Sequence, residues 1–286
     1  MAKGSMNLHF FKILKHIQFK KDYVVYALLY GATSLIIPLT TQYLVNNLII
    51  AGLWQSTLSF IILITVGLIF SQVLRFGMVI LKEYIEREVF IVINKFWKNF
   101  KTESRYYYLE TFQSLKSFSK TLTDFIDISL TVFFGMLTVI FFHPGFIILP
   151  LLILASITYL WSNNQKAIKS AIKESDEKYK IFENLNQSSS TDKFEAYLEA
   201  RHLHLSITKK NNLIIGIVFV LSQIILIKLG VYFIEKDSLS VGQLVSTEII
   251  LSGIFGTLIK YPQTLEALYD FETSLYKIKK AQGEVV

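Results

Sequence analysis

Four charged side chains stand within or at the edge of long apolar stretches: Arg75, Asp127, Lys228 and Glu248. A charge at the centre of a membrane helix costs roughly 2.5 to 3.5 kcal/mol on insertion scales, so each needs a partner, water or a route to the interface. Lys228 and Glu248 lie at nearly equal distances from the turn between their two apolar segments, so antiparallel packing puts them at one depth. One reading is an intramembrane ion pair facing a cavity. The other has Lys228 snorkelling outward while Glu248 meets water or a backbone group. Arg75 and Asp127 sit near the inner ends of their segments and either close the neck of a hairpin or act as interfacial anchors, the simpler reading. In the last apolar segment, Ser252 and Gly256 form a small-xxx-small face that permits close helix approach.

Other candidates for chemistry are weaker. His202 and His204, two residues apart on a helix, point to different sides without an accompanying acidic cluster, so surface histidines are expected rather than a metal site. Tyr106, Tyr107 and Tyr108 beside Arg105 have the makings of a base-stacking patch, but contact with a protein partner or plain packing fits better, and nucleic acid is not an expected partner. The sequence has no cysteine, which removes disulfides, thiolate ligands and cysteine nucleophiles together. Without paired carboxylates or a nucleophile elbow, no catalytic residue is assigned and an enzyme is the least favoured class.

The elements that must carry these residues are membrane helices. Of the 286 residues 52% are hydrophobic and 18% charged, too apolar for an ordinary soluble domain of this length. No Asp, Glu, Lys or Arg occurs from Tyr23 to Leu74, a run more than twice the ~20 residues that cross a bilayer once. It must fold back, and Asn46, Asn47, Gly52, Trp54, Gln55 and Ser56 supply a polar hairpin with an interfacial aromatic. Six spans are expected, at about 23–48, 57–81, 125–142, 146–161, 213–234 and 241–259, with His143, Pro144 and Gly145 turning tightly between the third and fourth. Before them, Phe10, Phe11, Leu14 and Ile17 alternate with lysines as in an interfacial helix. A cleaved signal peptide is the less favoured reading of this region, which lacks a small-residue ending.

Charge fixes an orientation. Of the 29 Lys and Arg, all but Arg75, Lys228 and Lys236 fall in the N-terminal segment, the loops at 82–124 and 162–212, or the region from 260 onward. The positive-inside rule puts these on the cytoplasmic side with both termini. Neither long loop reads as disordered. Ile85, Val89, Val92 and Phe96 continue the periodicity of span two, and Ile168, Ile172, Tyr179, Phe182 and Leu185 that of span four. Both loops are therefore expected to be helical hairpins. Their tips are placed at Thr111, Phe112, Gln113, Ser114 and Leu115, and at Ser189, Ser190, Thr191, Asp192 and Lys193. Leu265, Leu268, Phe271, Leu275 and Ile278 mark a last cytoplasmic helix over 261–286, and no second domain is expected after it.

This layout of an elbow helix (1–22), a six-helix transmembrane domain (23–260) with two cytoplasmic hairpins and a C-terminal helix resembles the transmembrane domain of an ABC exporter, over nearly the whole sequence. Ile37, Pro38, Leu39, Gln42, Leu44 and Val45 resemble that family's first helix. Leu239, Ser240, Val241, Gly242, Gln243, Leu244 and Val245 resemble the start of its sixth, which is the more specific match. Lys120, Thr121, Leu122, Thr123 and Asp124 resemble the stretch after the first coupling helix, while Glu183, Leu185, Thr191 and Lys193 fit loosely at the second. The usual glycine of the first tip is absent and the second is unusually rich in serine.

The resemblance implies an all-α exporter fold working as a homo- or heterodimer by alternating access. With no targeting signal read beyond the first span, a bacterial plasma (inner) membrane is the expected location. The resemblance implies no cofactor on this chain. There is no G-x-x-x-x-G-K-[ST] loop, so ATP and Mg would sit on a nucleotide-binding ATPase subunit or domain supplied separately, left out or lost. A six-span secondary transporter or channel, or an ATP-independent membrane scaffold of the same fold, are the competing functions.

Overall fold

A computed structural model describes residues 18, 20–50, 52, 57–97, 105–183, 191–268 and 270–271. The elements are α1 (Lys20–Thr33), α2 (Ile36–Tyr43) with a π-helical continuation (Leu44–Ile50), α3 (Thr57–Trp97), α4 (Arg105–Phe142), a 3-10 turn (Pro144–Ile147), α5 (Ile148–Ser162), α6 (Asn164–Glu183), α7 (Thr191–Glu235) and α8 (Val241–Leu258). A last helical stretch, α9, covers 261–268. Among the described residues, six segments are long and apolar enough to cross a bilayer, and they make the chain an integral membrane protein.

The ends of these helices have local causes. The first span breaks at Ser34 and Leu35 because Pro38, four residues on from Ser34, has no N–H to give and its ring crowds the Ser34 carbonyl. The tight turn between spans three and four is where the sequence puts it: the Gly145 N–H donates to His143 Nδ1 at 3.1 Å, and Pro144 opens the 3-10 turn. The apolar face of α5 does run on into α6, but through a one-residue break at Asn163 rather than as one continuous helix.

At 1.5 Å per residue the 41-residue α3 is about 62 Å long and the 45-residue α7 about 68 Å, each roughly twice a bilayer's ~30 Å hydrocarbon core. Each must therefore project well beyond the membrane.

The first tip is a correction. Thr111, Phe112, Gln113, Ser114 and Leu115 do not turn back; their backbone is inside α4, which starts at Arg105. The stretch from Arg105 to Phe142 has no proline and only one glycine, Gly135, so nothing local stops the helix at those five residues. At the second tip, α6 stops at Glu183 and Thr191, Asp192 and Lys193 are the first residues of α7, while Ser189 and Ser190 lie outside the described residues. The elbow helix, apart from Gln18 and Lys20 to Asp22, also lies outside them, as do Leu275 and Ile278.

Packing forms two buried clusters. The larger joins α4 through α9, with Phe146, Leu149, Ile153, Leu251 and Leu265 at its centre. The smaller gathers Tyr23, Ala27, Met78, Ile85, Val89, Leu122 and Phe271. Burial also ranks the spans: 44% of the apolar window of the last is covered against 11% of the second, so α8 is central and α3 peripheral. The outward face of α3 carries Ile61, Ile62, Leu63, Val66, Ile69 and Val73, the chemistry of a lipid-facing surface.

Candidate functional site

Four polar constellations lie on this scaffold, and they separate into those that hold the helices together and one that faces outward.

The first clamps the end of span one to the start of span six. Ser240 caps α8 by accepting from the Gln243 N–H, and the Gln243 side chain returns the bond, a complete capping box. Asn46 joins it from the π-helical segment: its Nδ2 donates to Ser240 Oγ at 3.0 Å and its Oδ1 accepts from the Gly242 N–H at 3.0 Å. One turn on, Ser246 Oγ donates to the Pro38 carbonyl at 2.6 Å. Asn46 is thus not part of a free polar hairpin. It satisfies one of the orphan N–H groups at the start of α8.

The second lies at the neck of the α3–α4 pair. Asp127 does not meet Arg75, which is exposed on α3. The Tyr23 hydroxyl, on a side chain 1% exposed, donates to the Asp127 carboxylate with its oxygens at 2.8 and 2.9 Å. Lys82 pairs with Asp124 at 2.7 Å beside it.

The third ties the α6–α7 pair to α9. His202 is exposed, as expected, but His204 is buried, which corrects its reading as a surface residue. Its Nδ1 lies 3.3 Å from Ser170 Oγ and its Nε2 3.4 Å from Glu266 Oε1, so one ring on α7 reaches both α6 and α9. Arg201 pairs with Glu174 at 2.6 Å nearby. Replacing His204 by alanine is expected to cost about 1–3 kcal/mol, because it opens a gap and strips Ser170 and Glu266 of a partner. Arg201→Ala, at an exposed pair, is expected to cost under about 1 kcal/mol; thermal unfolding in detergent distinguishes the two.

The fourth faces outward from α8. Gln223 Nε2 lies 3.4 Å from Ser252 Oγ, and Ser252 Oγ donates to Glu248 Oε1 at 2.8 Å. Lys228 and Glu248 each stand about 10 Å along their helices from the turn that joins them. They do not pair. Lys228 lies about 140° around α7 from Gln223, the residue that reaches α8, and shares its face with exposed Leu221, Ile224 and Val231. Of the Ser252–Gly256 pair, Ser252 reaches Gln223 on α7, whereas a Cβ built at Gly256 meets nothing within 4 Å.

The local signal for the clamp was in the Ser240-x-x-Gln243 spacing; its Asn46 half had no local signal. Among the described residues no group of three or more His, Asp or Glu side chains is placed to hold a metal ion. Compared with known protein families and with curated proteins, the sequence matches none.

Proposed function

We propose that the chain is the membrane-spanning subunit of an ABC exporter-like transporter, moving substrate by alternating access as a dimer while separate ATP-binding domains supply the energy. The observation that carries this reading is the length of α3 and α7, with α4 and α6 packed against them. Rigid helical pairs projecting tens of Å beyond a bilayer have little use in a simple pore, but they are what a lever needs to convert closure at its end into movement of its membrane half. Their basic residues put these projections in the cytoplasm, where an ATPase would engage them.

The second reading is secondary transport, favoured by the outward polar chain ending on Glu248, since intramembrane carboxylates mark ion and substrate pathways. Purification in mild detergent separates the two. The exporter reading expects nucleotide-stimulated ATP hydrolysis to co-purify with the chain and to fall at least about tenfold when Thr191, Asp192 and Lys193 are replaced together by glycines at the start of α7. An ATPase-free preparation that still transports sinks it in favour of the second reading. One that neither transports nor carries an ATPase leaves a scaffold.

A further inference from the structure

The basic side chains on the side of the bundle where α6 projects fall into two kinds. Lys82, Lys180 and Arg201 each pair with a carboxylate. Lys166 and Lys210 are exposed and make no such pair among the described residues. The sequence offers them none nearby, since no Asp or Glu occurs from Pro144 to Lys173 or from Arg201 to Ile234.

The fold brings these two lysines together. Ser170 meets His204 and Glu174 meets Arg201, an antiparallel register that sets Lys166 opposite Thr208 and Lys209, beside Lys210. The Tyr159 hydroxyl has the Asn163 side chain and the Lys210 ammonium within hydrogen-bonding reach, and Lys166 is the next positive charge around it. Two ammonium groups, a carboxamide and a phenol, all able to donate hydrogen bonds, therefore gather at one spot.

That spot lies at the edge of the bilayer. Tyr159 and Trp161 are exposed at the C-terminal end of α5, where interfacial aromatics sit. Leu213 and Ile217, at i+3 and i+7 from Lys210, are exposed too and carry the same face of α7 into the membrane. An acidic protein segment would satisfy the lysines but could not follow that face into hydrocarbon. A phospholipid of net negative charge has both halves, and the lysines would repel the choline of a zwitterionic headgroup.

We infer that Lys166, Lys210, Tyr159 and Asn163 form a binding site for the phosphate of an anionic phospholipid, whose acyl chains lie along Leu213 and Ile217. The site goes beyond the transport reading and is independent of it, since it needs only a bundle embedded in a membrane.

Trp161 reports on the site directly. With Trp54→Phe and Trp97→Phe it is the only tryptophan in the full chain, and in vesicles its fluorescence is quenched by lipids with brominated chains. Brominated phosphatidylglycerol is expected to occupy the site at least about fivefold more strongly than brominated phosphatidylcholine. Lys166→Gln with Lys210→Gln is expected to abolish the preference. Lys173→Gln with Lys180→Gln, the same loss of charge farther along α6, is expected to leave it unchanged, and soluble glycerol phosphate is expected not to displace the lipid. Monodisperse elution shows that each variant is folded. The ratio of the two lipids retained by the unaltered chain through gel filtration gives the same comparison without the tryptophan changes. Equal quenching by both lipids, a preference that survives the first pair of substitutions, or one that falls equally with the second overturns the inference. Displacement by glycerol phosphate also overturns it, in favour of a water-soluble phosphate. Neither transport nor ATP hydrolysis is read, so failure here leaves the transport reading standing, and the reverse holds.

Discussion

Gly242→Ala is expected to destabilise the protein by about 2–3 kcal/mol, or to prevent its recovery from membranes, because the new methyl group has nowhere to go. A Cβ at this position would sit 2.5 Å from Asn46 Oδ1 and 2.6 Å from the backbone carbonyl oxygen of Gln42. The first neighbour can rotate away only by giving up its bonds to Ser240 and the Gly242 N–H. The second belongs to a helix backbone and cannot rotate at all. The clamp between spans one and six therefore opens as a unit.

Gly256→Ala is the control. It adds the same methyl group to the same helix in open space, and in a helix interior alanine is favoured over glycine by roughly 0.5–1 kcal/mol. Its expected effect is neutral to slightly stabilising. Thermal aggregation of the two variants in detergent, followed by size-exclusion chromatography, measures the difference. Equal loss in both, or none in either, would show that the close approach of α8 to span one is not what holds that end of the bundle.

The second large effect is expected at Tyr23. Tyr23→Phe keeps the buried ring and removes only the hydroxyl that donates to Asp127, leaving a carboxylate in the bundle without that donor. A lost bond to a charged group of this kind costs about 1.5–3 kcal/mol. Most of that cost belongs to the stranded carboxylate, so Tyr23→Phe combined with Asp127→Leu is expected to recover a good part of it. The double-mutant cycle on thermal stability reads the coupling; strictly additive losses would mean that the contact contributes nothing of its own.

The neck also shows how far a sequence reading reaches. That Asp127 needs a partner follows from its place at the start of an apolar segment. Which partner it takes does not, because Tyr23 is 104 residues away and only the packing of α1 against α4 brings the hydroxyl to it. Arg75 looked equally suitable along the chain and faces outward instead. The same holds for Lys228 and Glu248. Their depth is a matter of counting residues from a turn, but their separation is a matter of how each helix is rotated about its axis. His204 was misread for that reason too, since burial by α6 and α9 is not a property of its own helix. The first tip differs in kind: the helix continuing span two has to turn back somewhere, and with no proline and only one glycine between Arg105 and Phe142 nothing local marks the place, so α4 runs straight through Thr111 to Leu115.

What the sequence by itself determined is the set of membrane helices and the tight turn between spans three and four. Hydrophobicity and turn chemistry act between residues a few positions apart, so His143, Pro144 and Gly145 were legible at once, whereas the break of the first span before Pro38 was found only in the structure. Only the tertiary structure decided which polar groups meet and which face outward. That depends on helix rotation and on contacts such as Asn46 with Ser240, 194 residues apart, for which no local pattern in the chain carries the information.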